Sequence, residues 1–223
     1  MRLGGERIGV ESDSRKLIEW LRKAYPTGGA PRVDVVGYHA ASFDEAVAWT
    51  EWEITRAALN RQRAPVIHAA LVESILIVGA HGSGKSSLAM ALKSRRRVYA
   101  DDLVLLREGR VEAMARPLAL KAGSERWFGG RIQATPRYLP LSASKPLRVT
   151  DIVVLGSKRG AMKLASITAE SAVAHIARHA MTKDVKKVIA AAAKVARRAR
   201  CWRLGGGTPL ERAERLCRIS STT

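Results

Sequence analysis

Aromatic side chains are scarce, at 5% of 223 residues, so Val, Ile, Leu and Ala must do most of the packing. Cysteine is scarcer still. Cys201 and Cys217 are too few for a disulfide framework, and nothing spaces them for a metal. They read as reduced, semi-buried thiols in a cytoplasmic protein. Amides are almost missing: Asn60 is the one asparagine, and Gln62 and Gln133 are the two glutamines. Few amides beside many charges fit heat adaptation or a bias of composition. No apolar run reaches the roughly 18 residues that a membrane span needs. The opening MRLGGERIGVESDSRK has no apolar stretch of the signal-peptide kind, so neither membrane nor export is expected. Acids are also short, at 20 against 39 Lys and Arg, which leaves a net charge of +19.

That charge favours polyanionic partners and keeps nucleic acid as a candidate. Against this, the basic residues are spread along the chain, in short clusters such as Arg95-Arg96-Arg97 and Arg197-Arg198. A hydrophobic fraction of 47% is ordinary for a globular chain, and the length suits one domain. We expect a partly ordered N-terminal extension over 1–43, a single domain over 44–219 and a short tail over 220–223.

The apolar pattern predicts a mixed α/β order with several antiparallel strands. A short helix is expected near Lys16–Ala24 and a strand over Arg32–Tyr38. Ser42 followed by Glu45 is a capping-box signature that opens a helix to about Arg61, with Ala46, Trp49, Trp52, Ile54 and Ala57 on one side. PVIHAALVE and SILIVG read as two strands or one bent strand. A helix follows over Ser86–Lys93, then RVYADD as a strand ending in two acids. The stretch LVLLREGRVEAMARPLAL reads as a meander turning at Glu108-Gly109, and Gly123–Ser144 as irregular. RVTDIVVLG is a buried strand, and AMKLASIT is read as a further one. Helices near Ala169–His179 and Lys183–Arg198 follow, then RCWRLGG as a strand and a last helix over Thr208–Leu216.

Chemistry concentrates in three places. Gly79, Gly84, Lys85 and Ser86 fit G-x-x-x-x-G-K-[ST], after an apolar strand and before a helix. In such a P-loop the backbone amides of Gly79, Ala80, His81, Gly82, Ser83, Gly84, Lys85, Ser86 and Ser87 would face the phosphates of a nucleotide. Lys85 would reach the outer phosphates, and the Ser86 hydroxyl would ligate Mg²⁺. His81 could contact the nucleotide, although a tolerated loop position is the blander reading. Asp101-Asp102 at a strand end suggests two roles, a metal-associated acid and a base for a nucleophile. A solvated strand end is the alternative. His68 precedes the apolar hairpin, and a lone histidine on a strand is more often structural than catalytic.

Taken together, His68-Ala69-Ala70, Gly79–Ser86 and Val98-Tyr99-Ala100-Asp101-Asp102 resemble the HPr kinase/phosphorylase family and its compact serine-kinase relatives, which share a P-loop fold with the phosphoenolpyruvate carboxykinases. The likeness covers roughly residues 44–219 and is strongest over 68–120. It implies ATP as donor, Ser86 and Asp102 on Mg²⁺, Asp101 as the base that takes a proton from a hydroxyl, and His68 close to the acid pair. It also implies an oligomer. His81 stands where the family carries serine, and Ser87 where the bifunctional enzymes carry glutamate. The signature linked to phosphorolysis is missing, since RWFGGRI has the wrong order.

The expectation is therefore a Mg²⁺-dependent kinase acting on a hydroxyl-bearing acceptor, without phosphorylase activity. The acceptor would be a serine of a protein or peptide, or a free hydroxy compound. A basic regulatory or nucleic-acid-binding nucleotide protein is the rival, and a pure ATPase motor ranks last.

Overall fold

In the computed structural model of the chain the described residues are 2–3, 6–25, 35–36, 42–114, 118–119, 138–139 and 145–220. Most of the irregular stretch over 123–144, with RWFGGRI, lies outside them, as does all but Val35–Val36 of the expected early strand.

The order is mixed α/β, and antiparallel pairings outnumber parallel ones. At the N-terminus, β1 (Arg2–Leu3) pairs β2 (Glu6–Arg7), and β3 (Val10–Glu11) pairs β4 (Val35–Val36). Helices α1 (Arg15–Ala24) and α2 (Phe43–Arg61) follow the capping residues Ser14 and Ser42, whose side chains accept from Leu17 and Glu45 amides. The main sheet begins with the hairpin of β5 (Val66–Val72) and β6 (Ile75–Val78). It continues, after α3 (Lys85–Leu92), with β7 (Val98–Ala100), β8 (Leu103–Arg107) and β9 (Arg110–Ala113). Past the small pair β10 (Leu118–Ala119) and β11 (Tyr138–Leu139) come β12 (Asp151–Leu155), β13 (Lys163–Ser166), α4 (Ala169–Ala177), α5 (Val185–Ala196), β14 (Arg200–Gly205) and α6 (Pro209–Ser220).

The eight-stranded sheet runs β13-β14-β12-β6-β5-β8-β9, with β7 also on β5. Its centre is a parallel trio, β14, β12 and β6. Strand alternation sorts the core into two faces. Leu76, Val78, Ile152 and Val154 meet Ala172 and Ile176 of α4 and Val188 and Ala192 of α5. Ile75, Ile77, Val153 and Leu155 meet Leu88 and Leu92 of α3 and Leu216 of α6. With both faces covered, the central strands can be apolar throughout, which is why ILIV and DIVVL show no alternation. A third cluster joins Leu3, Ile8, Leu17 and Leu21 to Val47 and Ile54 of α2 and to Val66, Leu103 and Leu105 of the sheet.

Two sequence expectations change. Helix α2 does not bury its tryptophans: Trp49 is 48% and Trp52 57% exposed. The buried stripe is Val47, Thr50, Glu51, Ile54 and Ala58, which repeats at the i, i+3, i+4 spacing of one helical face. Glu51 can lie in it because the Tyr25 hydroxyl donates to its carboxylate at 2.7 Å. The strand expected to run through RVYADD stops at Ala100, and the two acids occupy the bend before β8.

Candidate functional site

The glycine-rich stretch joins the end of β6 to the start of α3. Gly84 caps the helix in the left-handed region at φ 98°, which a side chain disfavours. The amides of Lys85, Ser86 and Ser87, at the first turn of α3, have no intrahelical acceptor by position, and the helix dipole adds partial positive charge there. Lys85 folds back over the loop. Its Nζ donates to Gly79 O at 2.8 Å and to Ala80 O at 3.2 Å, and the residue is 4% exposed. Burial pushes its ammonium below the ordinary value of 10.5, against the opposing pull of Asp102 and Asp101. The Ser83 Oγ is buried with no hydrogen-bond partner among the described residues. A loop with a buried cation and an unsatisfied hydroxyl, leading into a helix N-terminus, fits an anion such as a phosphate chain.

Sheet pairing brings the acids to this loop. Strand β5 lies between β6 on one side and β7 and β8 on the other. Ala69 is level with Val78, where the loop leaves the sheet, and its amide donates to Asp102 O at 3.0 Å. The acid bend therefore sits one strand from the loop. Asp101 is buried and Asp102 half-buried. Asp102 Oδ1 is 3.0 Å from His68 Nε2. The His68 and His81 rings are 6.2 Å apart between centroids. Lys85, Asp101, Asp102, His68 and His81 are thus gathered in one region. Ser86 and Ser87 are half-buried in the first turn of α3, while Ala80 and Gly82 are at the surface.

Three residues of this neighbourhood were not foreseen from the sequence. His179 follows α4, and its carbonyl accepts from the His68 amide at 2.8 Å. Burial, followed by the charges of Lys85 and His68, holds its imidazole below the ordinary 6.5. Lys158 lies in the loop after β12, with its side chain against Gly84. Arg212 of α6 is 3% exposed, and its guanidinium donates to Gly206 O and Ser157 O and, at 3.5 Å, to Ser83 O. His179 and Arg212 reach the site only through strand pairing and helix docking, which leave no local mark. The position of Lys158, just past a buried strand, was a usable sign, because loops at the carboxyl ends of parallel strands gather on one edge.

Among the described residues no group of three or more His, Cys, Asp and Glu side chains could hold a metal ion by itself. Mg²⁺ takes oxygen ligands and commonly uses one or two carboxylates together with substrate phosphates, so Ser86 and Asp102 would suffice beside a bound nucleotide.

No protein-family model matches this chain, and no curated protein matches it either. Among solved structures, the chain is similar to the Hpr(Ser) kinase/phosphatase from Coxiella burnetii. That match has 13% identity and a TM-score of 0.35, and covers 71% of this chain and 99% of the other. A likeness this low in both measures says nothing by itself about what this chain does.

Proposed function

We propose that the protein transfers the terminal phosphoryl group of ATP to a hydroxyl group of an acceptor. The single observation that carries this reading is the His68–Asp102 pair, with Asp101 beside it, one strand away from the Gly79–Ser86 loop. A nucleotide-binding loop without transfer needs one carboxylate for the cation. A second, buried carboxylate and a histidine at the same place supply proton chemistry as well.

In this reading the amides at the start of α3 bind the phosphates, and the Lys85 ammonium turns from the Gly79 and Ala80 carbonyls to the outer ones. Mg²⁺ held by Ser86 and Asp102 would neutralise phosphate charge and orient the chain. Asp101 accepts the proton of the acceptor hydroxyl as its oxygen attacks the terminal phosphorus and the bond to the ADP oxygen breaks. His68 holds Asp102 in place through Nε2. Catalysis is then largely positioning and charge neutralisation. The acceptor class, a protein or peptide serine or a free hydroxy compound, is open to a screen with labelled ATP.

Asp101→Asn keeps the shape and removes the base. It should leave ATP binding within about two-fold and lower transfer by about 10²–10⁴-fold, the range of general-base contributions. Calorimetric ATP binding and a labelled-phosphate assay check the two halves. Transfer at the wild-type rate would remove Asp101 from the mechanism.

A further inference from the structure

The two edges of the main sheet are finished differently. At one edge β9 is covered: the Val111 amide donates to Leu147 O at 2.9 Å, and Val111 O accepts from the Leu147 amide at 2.7 Å. At the other edge β13 is the outermost strand among the described residues, and Lys163, Ala165 and Ser166 are exposed. An uncovered edge offers amides and carbonyls to another chain.

The hydrogen bonds of β14 show which groups those are. The Arg200 amide donates to Thr150 O, and Leu204 O accepts from the Gly156 amide, so these residues turn toward β12. Cys201 O accepts from the Ile167 amide, so the residues between them turn toward β13. Lys163 lies opposite Gly205 and Ala165 opposite Arg203, which makes these two the inward residues of β13. The amides and carbonyls of Leu164 and Ser166 therefore point out of the sheet edge.

If β13 pairs with its own copy, one register uses all of these groups. Leu164 of each copy lies opposite Ser166 of the other, and the two-fold axis passes Ala165 perpendicular to the sheet. Ala165 then faces its own image in a non-hydrogen-bonded pair, where Cα atoms approach to about 4.5 Å. Alanine suits that place, because nothing bulky meets at the axis. Leu164, half-buried, belongs to the face that packs on α3 and α6. The two Leu164 side chains become diagonal neighbours on that face.

Helix α6 completes the match. Between it and β13 runs a groove of about 550 Å³, lined on the helix by Glu211, Glu214, Arg215 and Arg218. These recur at the i, i+3, i+4, i+7 spacing of one helical face, acids first and arginines after. The same axis brings the second α6 alongside in the opposite direction. Glu211 then meets Arg218, and Glu214 meets Arg215, each pair occurring on both sides of the axis. A charge order that inverts on reversal complements its own copy rather than an arbitrary peptide.

We propose that the protein forms a two-fold dimer by antiparallel pairing of β13 with β13 of a second copy, flanked by reciprocal ion pairs between the α6 helices. The main sheet then runs continuously through both copies. The inference does not depend on the nucleotide reading, since it uses none of the residues assigned to phosphoryl transfer.

Sedimentation velocity and cysteine trapping test it. A short strand and exposed ion pairs make a modest interface, so the dimer should dissociate in the micromolar range and prevail at about 100 μM. Glu214 and Arg215 are exposed, so neither is needed for folding. Glu214→Arg and Arg215→Glu should each raise the dissociation constant about ten-fold or more, because each sets like charges together on both sides of the axis. An equimolar mixture of the two variants should restore the dimer, since every contact in the mixed pair is again opposite in sign. Ion pairs within one helix, such as Glu211 with Arg215, cannot give that rescue. Ala165→Cys, oxidised by copper phenanthroline, should be trapped as a disulfide-linked dimer, because a Cα separation of about 4.5 Å suits the bond. Ser166→Cys and the wild-type chain, with its Cys201 and Cys217, should not be. Wild-type protein that stays monomeric at about 100 μM overturns the proposal. So does a dimer indifferent to both charge reversals, or one trapped as readily through position 166 as through 165.

Discussion

Lys85 and Asp151 are both buried charges, and their surroundings give them opposite consequences for stability. Lys85 has carbonyl partners, and burial lowers its pKa despite the two aspartates nearby, so the folded chain carries it at a cost. Lys85→Met should therefore keep or raise the melting temperature while reducing phosphoryl transfer below detection. A large drop in stability would show that the ammonium holds the loop together rather than serving a ligand. Asp151, fully buried at the start of β12, is satisfied on every side. Arg200 donates to both its oxygens at 2.9 Å, and Trp202 Nε1 and Thr150 Oγ1 donate as well. Burial alone would raise its pKa, but the hydrogen bonds from Arg200, Trp202 and Thr150 prevail and hold it below 3.8. A carboxylate with a depressed folded pKa adds stability above its unfolded pKa and loses it as pH falls through the folded one. Asp151→Asn should accordingly be destabilised near neutral pH, by about 2 kcal/mol for lost charge-assisted bonds. The gap to wild type should close below the ordinary 3.8, which thermal melts from pH 7 to pH 2 would follow.

At the scale of elements, helix α2 shows how a tertiary contact chooses a face. Its tryptophans are its largest apolar side chains, yet Val47, Ile54 and Ala58 dock on α1 and the sheet. Ile54→Ala should cost about 2–5 kcal/mol through the cavity it leaves. Trp52→Lys, on the exposed side, should stay within about 0.5 kcal/mol. Urea melts of the two variants separate the faces, and equal losses would mean that the tryptophans pack after all. Elsewhere local signals held because each element carried its own cue. The Ser42 and Glu45 pair opened α2 as expected. The turn at Glu108-Gly109 has positive φ at both residues, 45° and 80°, the twist that suits a two-residue hairpin loop between β8 and β9. The acid bend carried a weaker cue. Two aspartates favour a turn, but a strand-forming VYA before them hides where the strand ends.

For the whole molecule the dominant features are the covered sheet and the net charge of +19. Among the described residues no helix is long and apolar enough to cross a membrane. A charge of that size should attract duplex DNA without regard to sequence, through its phosphates. Such binding should fall by roughly 10³-fold or more between 50 and 200 mM salt if six or more phosphates are contacted. Phosphoryl transfer to a small acceptor should change little over the same range. Fluorescence anisotropy beside the transfer assay would show it, and parallel salt dependence would tie the charge to the reaction.

The motif Gly79–Ser86, the acids 101–102 and the order of the helices and of the main-sheet strands were legible in the chain, because each depends on a short run of residues and its backbone preferences; the short strands β1, β2, β3 and β11 were not. The sequence by itself determined that a glycine-rich loop would leave an apolar strand and open a helix. Only the tertiary structure decided which groups would meet there. It set β5 between the loop and the acids, aligned His68 with Asp102 and brought His179 beside them. It also placed Lys158, from the loop after β12, and Arg212 of α6 around one cleft. Those meetings come from register and parallel strand order across 55 to 129 positions, as in the Arg212 bonds to Ser157 and Ser83. Burial of apolar faces sets those distances, and no local periodicity encodes them.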